Sequence, residues 1–197
     1  MRHIQIFSDI YSQAANDLNV EIAAIKAVAK VESKGDPFLP SGHPVVLFES
    51  HHFRKFTNKQ YDTSFPKLSH PYKGNDGKVI RYYIGGEREV TERLEKAAVL
   101  NKEAAYKSAS WGKFQIMGFN YKQSGFQSVI SFVEAMKKNE NEQVIAFCNF
   151  IKSHSIMHQT LKQKDWSEFA KRYNGPDYAV NKYDLKMAKA YNQFKQI

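Results

Sequence analysis

The chain predicts a mainly α fold (α+β) with a minor β element, on three observations. Apolar residues recur at helical spacing towards both ends. A stretch rich in Glu, Lys, Ala and Leu fills residues 88 to 107. Only residues 57 to 86 carry turn and strand signals in an otherwise irregular sequence. At 197 residues, with 42% hydrophobic and 14% aromatic content, the chain is long enough for one well-cored domain or two small lobes. No repeat, low-complexity tract or linker divides it, so residues 1–197 are expected to form a single domain.

Ile4, Phe7, Ile10, Tyr11, Ala14 and Leu18 mark a first amphipathic helix, with Asp17 or Asn19 placed to cap the next. Residues 20 to 35 read as a short helix stopped by Gly35, with Pro37 just beyond. A loop rich in Gly and Pro follows to residue 44. The apolar run from Val45 to Phe53 is too short to assign by periodicity, and both a buried strand and a helical turn fit it. Between 57 and 86, the turn residues 73–78 lead into a strand-like 79–84, a small β excursion beside a helical body. Residues 108 to 118 break the helical pattern. Helices are then expected over 127–138, 141–154, 165–173 and 177–194.

A formal charge of +9 implies an anionic partner, which could be nucleic acid, an acidic polymer or a membrane surface. Helix-turn-helix, zinc-finger and RNA-binding signatures are lacking, so nucleic acid is not expected. No apolar run approaches the roughly 18 residues that span a bilayer. The N-terminal residues lack a signal-peptide core and cleavage site, so the expectation is accumulation in a cytoplasm. The single Cys148 fits a reducing compartment; set between Phe147 and Phe150, it reads as buried and inert. His51-His52 and the His154/His158 pair lack the companion ligands zinc requires, and Gly85-Gly86 reads as a turn, so no metal or cofactor is expected.

The chemistry-bearing residue is Glu32. It falls on the same helix face as Ile22, Ile25, Val28 and Ala29, in the last turn of its helix. An apolar face disfavours the ionised carboxyl, and so does the negative end of the helix macrodipole. Both raise its pKa towards the range a general acid needs near neutrality. A structural glutamate that reaches for water or pairs with Lys34 is the alternative.

Three motifs extend this reading: Glu32-Ser33 followed by Gly35-Asp36-Pro37-Phe38; the run from Ser108 to Met117 (Ser-Ala-Ser-Trp-Gly-Lys-Phe-Gln-Ile-Met); and the run from Arg172 to Tyr178 (Arg-Tyr-Asn-Gly-Pro-Asp-Tyr). In this order they resemble the lysozyme-like superfamily, including goose-type lysozymes and soluble lytic transglycosylases. They are more closely similar to the N-acetylmuramidase family of phage endolysins, whose counterparts also include Val46 to Phe53. The likeness runs from about residue 20 to the C-terminus. It implies a lysozyme-like fold and cleavage of the β-1,4 bond between N-acetylmuramic acid and N-acetylglucosamine in peptidoglycan. It places Glu32 as the general acid, and Ser110, Trp111, Gln115, Tyr173 and Asn174 at the substrate. Phe114 stands where lytic transglycosylases usually have Met, which weakens that alternative.

Glycoside cleavage usually needs a second carboxylate. Asp36, Asp62, Glu87 and Glu89 are candidates, but Glu49 is preferred because the apolar run before it should fix its position; pairing with His51, His52 or Arg54 is its structural alternative. The basic, amphipathic C-terminal segment is expected to dock on the core, with contact to an anionic envelope or membrane surface as the second reading. The expectation is a monomeric endolysin that stays in the host cytoplasm until released to the cell wall. A lytic transglycosylase and a non-enzymatic module binding anionic polymers are the rivals.

Overall fold

The computed structural model describes residues 9–33, 36–80 and 82–196, with the side chain of Ser33 excepted. The expected helix start at residue 4 and the stop at Gly35 lie outside these. In chain order the elements are α1 (Ile10–Leu18), α2 (Ile22–Ser33), β1 (Val46–Phe48) and α3 (Ser50–Phe56). Next comes α4 (86–100), an α–π–α run with a π segment at Glu89–Leu94, then α5 (Lys102–Lys107), β2 (Ala109–Trp111) and β3 (Ile116–Met117). The remaining helices are α6 (Val129–Lys138), α7 (Glu140–Lys152), α8 (Ser155–Gln163), α9 (Trp166–Asn174) and α10 (Tyr183–Lys195). Two 3-10 turns, Gly118–Asn120 and Pro176–Ala179, complete the set. The mainly α class with a small sheet is therefore the fold observed.

The chain divides into two compact units, residues 1–35 with 144–197 and residues 36–143. In the first unit α2 is the central element, packed most extensively against α10 and also against α1. Ala23, Ala24, Ile25, Ala27, Val28 and Ala29 are all buried, so α2 is enclosed over far more than one stripe, although Ile22 is exposed. The alanines matter here: short side chains let neighbouring helices approach closely. From α10, Met187, Ala190 and Tyr191 are buried, and Tyr191 donates from its hydroxyl to Glu21 at 2.7 Å. The C-terminal segment is thus a docked helix. Asn19 ends α1 in the left-handed conformation (φ 50°) instead of capping α2. Helix α8 was not foreseen; it buries Met157, Thr160 and Leu161 and offers a mostly polar face. Cys148 is buried, and burial pushes its thiol up to about 12, so it is inert.

In the second unit the sheet runs β1-β2-β3, antiparallel throughout, with Val46 opposite Trp111 and Trp111 opposite Ile116. The run 45–53 is both of its alternatives: a strand over Val46–Phe48, then α3 from Ser50. The 57–86 stretch contributes one isolated bridge, Lys73 to Val79, around the expected turn, and the ladder itself lies elsewhere. Strands this short cannot be seen in local periodicity, because partners distant in sequence create them.

A buried ion pair holds this unit together. Glu89 is fully enclosed and accepts from Arg93 Nη1 at 2.8 Å, from the Phe48 N–H at 3.0 Å and from the Ile84 N–H at 3.2 Å. Arg93 lies over the Phe48 ring at 5.2 Å and donates to Ser50 Oγ at 2.6 Å. Glu89 is committed to structure, which removes it from the list of second carboxylates. Removing one partner of such a pair leaves a buried charge uncompensated. Glu89→Ala is expected to lower stability by about 3–5 kcal/mol, read as a fall in denaturation midpoint.

Candidate active site

Glu32 is the penultimate residue of α2 and only partly exposed. Helix α9, started by the Asp165 side chain accepting from the Glu168 N–H at 3.1 Å, ends by presenting Tyr173 and Asn174. Asn174 Nδ2 donates to Glu32 Oε1 at 2.9 Å, joining residues 142 positions apart in sequence. The other amide atom, Asn174 Oδ1, is buried with no hydrogen-bond partner among the described residues. It is an acceptor left over at the carboxyl. Gly175 (φ 86°) then turns the chain away from α9.

Burial pushes the Glu32 carboxyl up to about 7, against the opposing effect of the Asn174 hydrogen bond, which favours the ionised form. Two lysines of the same unit are engaged elsewhere: Lys30 donates to Gln193 at 2.9 Å and Lys164 to Glu21 at 2.6 Å. Lys34, the pairing partner considered from the sequence, lies outside the described residues. Tyr173 stacks on Phe169 at 5.4 Å, with Phe147 and Phe150 at its edges, so its ring is fixed. Burial and the neighbouring Glu32 charge raise its hydroxyl well above the ordinary value, so it remains a neutral donor. A carboxyl that is half protonated near pH 7, beside a fixed phenol and an amide, can deliver a proton and take it back.

The second unit carries the other expected residues. Glu49 is the residue before α3: its N–H donates to the Ser108 carbonyl at 2.9 Å, and its carbonyl accepts the His52 and Phe53 N–H groups. Its side chain is about one-third exposed, with Oε2 3.5 Å from His51 Nδ1. Among the other carboxylates considered, Asp62 is engaged by Arg54 at 2.8 Å and Ser69 at 2.6 Å, and Glu87 by the Ser41 N–H and hydroxyl. Asp36 is exposed.

The 108–117 motif is a self-locking turn. Ser110 Oγ donates to Gln115 Oε1 at 2.8 Å, and Gln115 Nε2 donates to the Gly112 and Val45 carbonyls at 2.8 and 3.2 Å. Gly112 has φ 69°, and a Cβ there would sit 2.6 Å from the buried Gln143 amide, which itself holds the Lys113 N–H at 2.7 Å. Trp111 departs from the expectation that it lies at the substrate. It is 2% exposed, with its indole N–H donated to the Tyr106 carbonyl at 3.1 Å, so it is a core residue. Its place between Ala109 and Phe114, both buried, was the available signal. Ser110 is likewise buried, and the Gln115 amide is spent on its own turn. Sequence reasoning did not weigh Gln143, which fastens this turn.

A carboxylic acid desolvated at a helix end, set beside a phenol and an amide in a mainly α protein, is a setting suited to proton transfer. The chain belongs to the N-acetylmuramidase family, whose model matches residues 21–195. It is thus a glycoside hydrolase that acts on peptidoglycan, and the transglycosylase alternative is not favoured. Among solved structures it is similar to the crystal structure of Burkholderia AP3 phage endolysin, at 38% identity and TM-score 0.81, over 95% of this chain and 69% of that one. No curated protein matches it.

The raised pKa has a thermodynamic consequence with a definite sign. Ionised Glu32 is the costly form, so its contribution to stability is greatest below its ordinary value of 4.5 and is lost as pH rises to about 7. Glu32→Gln carries no such charge. Its stability advantage over the parent should grow between pH 4.5 and 7, reaching as much as about 3 kcal/mol, as measured by denaturation across that range.

Proposed function

We propose that the chain is a phage endolysin in which Glu32 protonates the bridging oxygen between N-acetylmuramic acid and N-acetylglucosamine. The C1–O bond then breaks with its electron pair going to the leaving sugar. A water molecule adds at C1, and Glu49 takes its proton or stabilises the oxocarbenium-like centre. The observation that carries the reading is the desolvated Glu32 carboxyl held by Asn174 at 2.9 Å. Glu49 is assigned because it is a partly exposed carboxylate at a fixed backbone position, held through its N–H by Ser108. Tyr173 supplies a neutral hydroxyl beside Glu32. Asn174 tunes that carboxyl, and Gln115 and Ser110 fix the turn on which the Trp-Gly-Lys-Phe segment rests.

The two units are proposed to act as one catalytic domain, residues 1–197, working as a monomer. None of the helices in the described residues is long and apolar enough to cross a membrane. Retention in the host cytoplasm until release to the wall is the proposed location. Exposed Lys182, Lys186, Lys189 and Lys195 on and beside α10 give that helix a basic outer side for anionic envelope polymers, an attraction that salt should weaken.

Glu32→Gln keeps the shape and removes the proton donor; peptidoglycan hydrolysis should fall by at least about a thousandfold with binding retained. A Glu32→Gln protein that cleared walls at the parental rate would refute the assignment, and one that bound without either form cleaving would favour the binding-module rival. Mass spectrometry of the products should show reducing muramic ends and not 1,6-anhydro ends.

Because Glu32 acts protonated, kcat/KM should decline as pH rises through about 7. Asn174→Leu removes the hydrogen bond that favours ionisation, so that limb should move to higher pH. A pH–rate profile with an unmoved limb would exclude Asn174 from this role.

A further inference from the structure

The second unit carries a groove that neither the chemistry above nor the motifs account for. It has a volume of about 580 Å³ and is bounded by the 64–68 turn, the 82–84 segment and the start of α4. Phe65, Tyr82 and Ile84 line it, and each is about 40% exposed, unusual for apolar side chains gathered in one place. Lys67, Arg88, Arg93 and Lys96 also line it, against the single carboxylate of Glu92.

The groove is built, not incidental. Leu68 and Ser69 N–H groups close the turn on the Phe65 carbonyl at 2.9 Å, and Ser50 Oγ donates to the Lys67 carbonyl at 3.1 Å. Tyr82 rests edge-on against His70 at 5.0 Å, and the His70 ring is itself held 2.8 Å from the Pro71 carbonyl. Ile84 is pinned by its N–H to buried Glu89. These ties hold an aromatic surface open to solvent that the fold does not need for its core.

The charges sort into committed and available. Arg93 is consumed by Glu89 and Ser50, and Arg88 is held by both Glu92 oxygens at 2.7 and 3.2 Å. Lys67 and Lys96 are exposed and have no ion pair among the described residues. A ligand that satisfies this site needs ring-sized apolar faces for Phe65 and Tyr82, and anionic groups for the two lysines.

We propose that this groove binds peptidoglycan strands that still carry their stem peptides, with sugar faces on Tyr82 and Phe65 and stem carboxylates on Lys67 and Lys96. The proposal rests on peptidoglycan being the substrate of the family, and adds that the enzyme reads the peptide substituents as well as the glycan. Lipid surfaces fit less well, since the groove offers two aromatic rings and two lysines outside any ion pair among the described residues, not a broad basic face.

The test uses the 197-residue chain carrying Glu32→Gln, so that sacculi are bound and not degraded. Lys67→Gln with Lys96→Gln should weaken sedimentation with intact sacculi by about tenfold, more at low salt than at high. The same pair should leave binding to amidase-released glycan strands, read by fluorescence titration, unchanged, whereas Tyr82→Ala should weaken binding to both. Equal binding of all variants to intact sacculi would overturn the proposal. So would loss of binding to lipopolysaccharide vesicles with sacculus binding intact. With Glu32 restored, the Lys67→Gln, Lys96→Gln variant should cleave stripped glycan at the parental kcat; a fall there would also overturn it, since the lysines would then be acting through the chemistry or the fold. Failure of the parent to cleave at all would count against the catalytic assignment and leave the binding assay standing, because that assay requires no turnover.

Discussion

The burial of α2 sets the terms for the first unit. A helix made of Ala23, Ala24, Ile25, Ala27, Val28 and Ala29 can be enclosed by its neighbours at close range, and α10 supplies much of that enclosure. The same enclosure reaches the end of the helix, where Glu32 is desolvated. Stability and chemistry oppose each other at this point. Each apolar contact that fixes the helix raises the cost of ionising its carboxyl, and a carboxyl reluctant to ionise is what a general acid requires. The Asn174 hydrogen bond offsets part of that cost. Without it the acid would hold its proton more tightly and transfer it less readily.

The second unit handles its buried carboxylate in the opposite way. Glu89 is more enclosed than Glu32, yet it receives a guanidinium and two backbone N–H groups. Those donors tie Glu89 to β1, the 82–84 segment and α4, whereas Glu32 receives the Asn174 amide. Neighbours separate the remaining candidates. Burial works to raise the Asp62 carboxyl, but Ser69 and Arg54 bring it below its ordinary value, and the Ser41 hydroxyl and N–H lower Glu87.

What could be read from the sequence follows from the range of the forces involved. The position of Glu32 was legible because helical periodicity and helix-end electrostatics are local. Its contact with Asn174 was not, since 142 residues separate the two and only a motif resemblance joined them. The helical class was legible from composition, while the sheet was misplaced towards 57–86 because strands of two or three residues exist only through their partners. Helix α8 escaped notice for a different reason: its buried residues, Met157, Thr160 and Leu161, include a threonine that breaks an apolar count. Trp111 shows how a motif misleads. Its position matched a substrate-lining segment, but its neighbours on the strand are core residues, and the local apolar context was the better guide to its burial.

The motif around Trp111 can still matter to catalysis without touching substrate. Gly112 has to lack a Cβ for the Gln143 amide to reach Lys113, and Gln115 spends its side chain on the carbonyls of Gly112 and Val45. Val45 precedes β1, β1 leads directly into Glu49, and the Glu49 N–H is held by Ser108 at the other end of the same motif. The residues from 108 to 117 therefore clamp the backbone on both sides of the strand that delivers Glu49. Under this geometry the motif acts through positioning: small errors in the turn would be carried along three residues of strand to the Glu49 backbone.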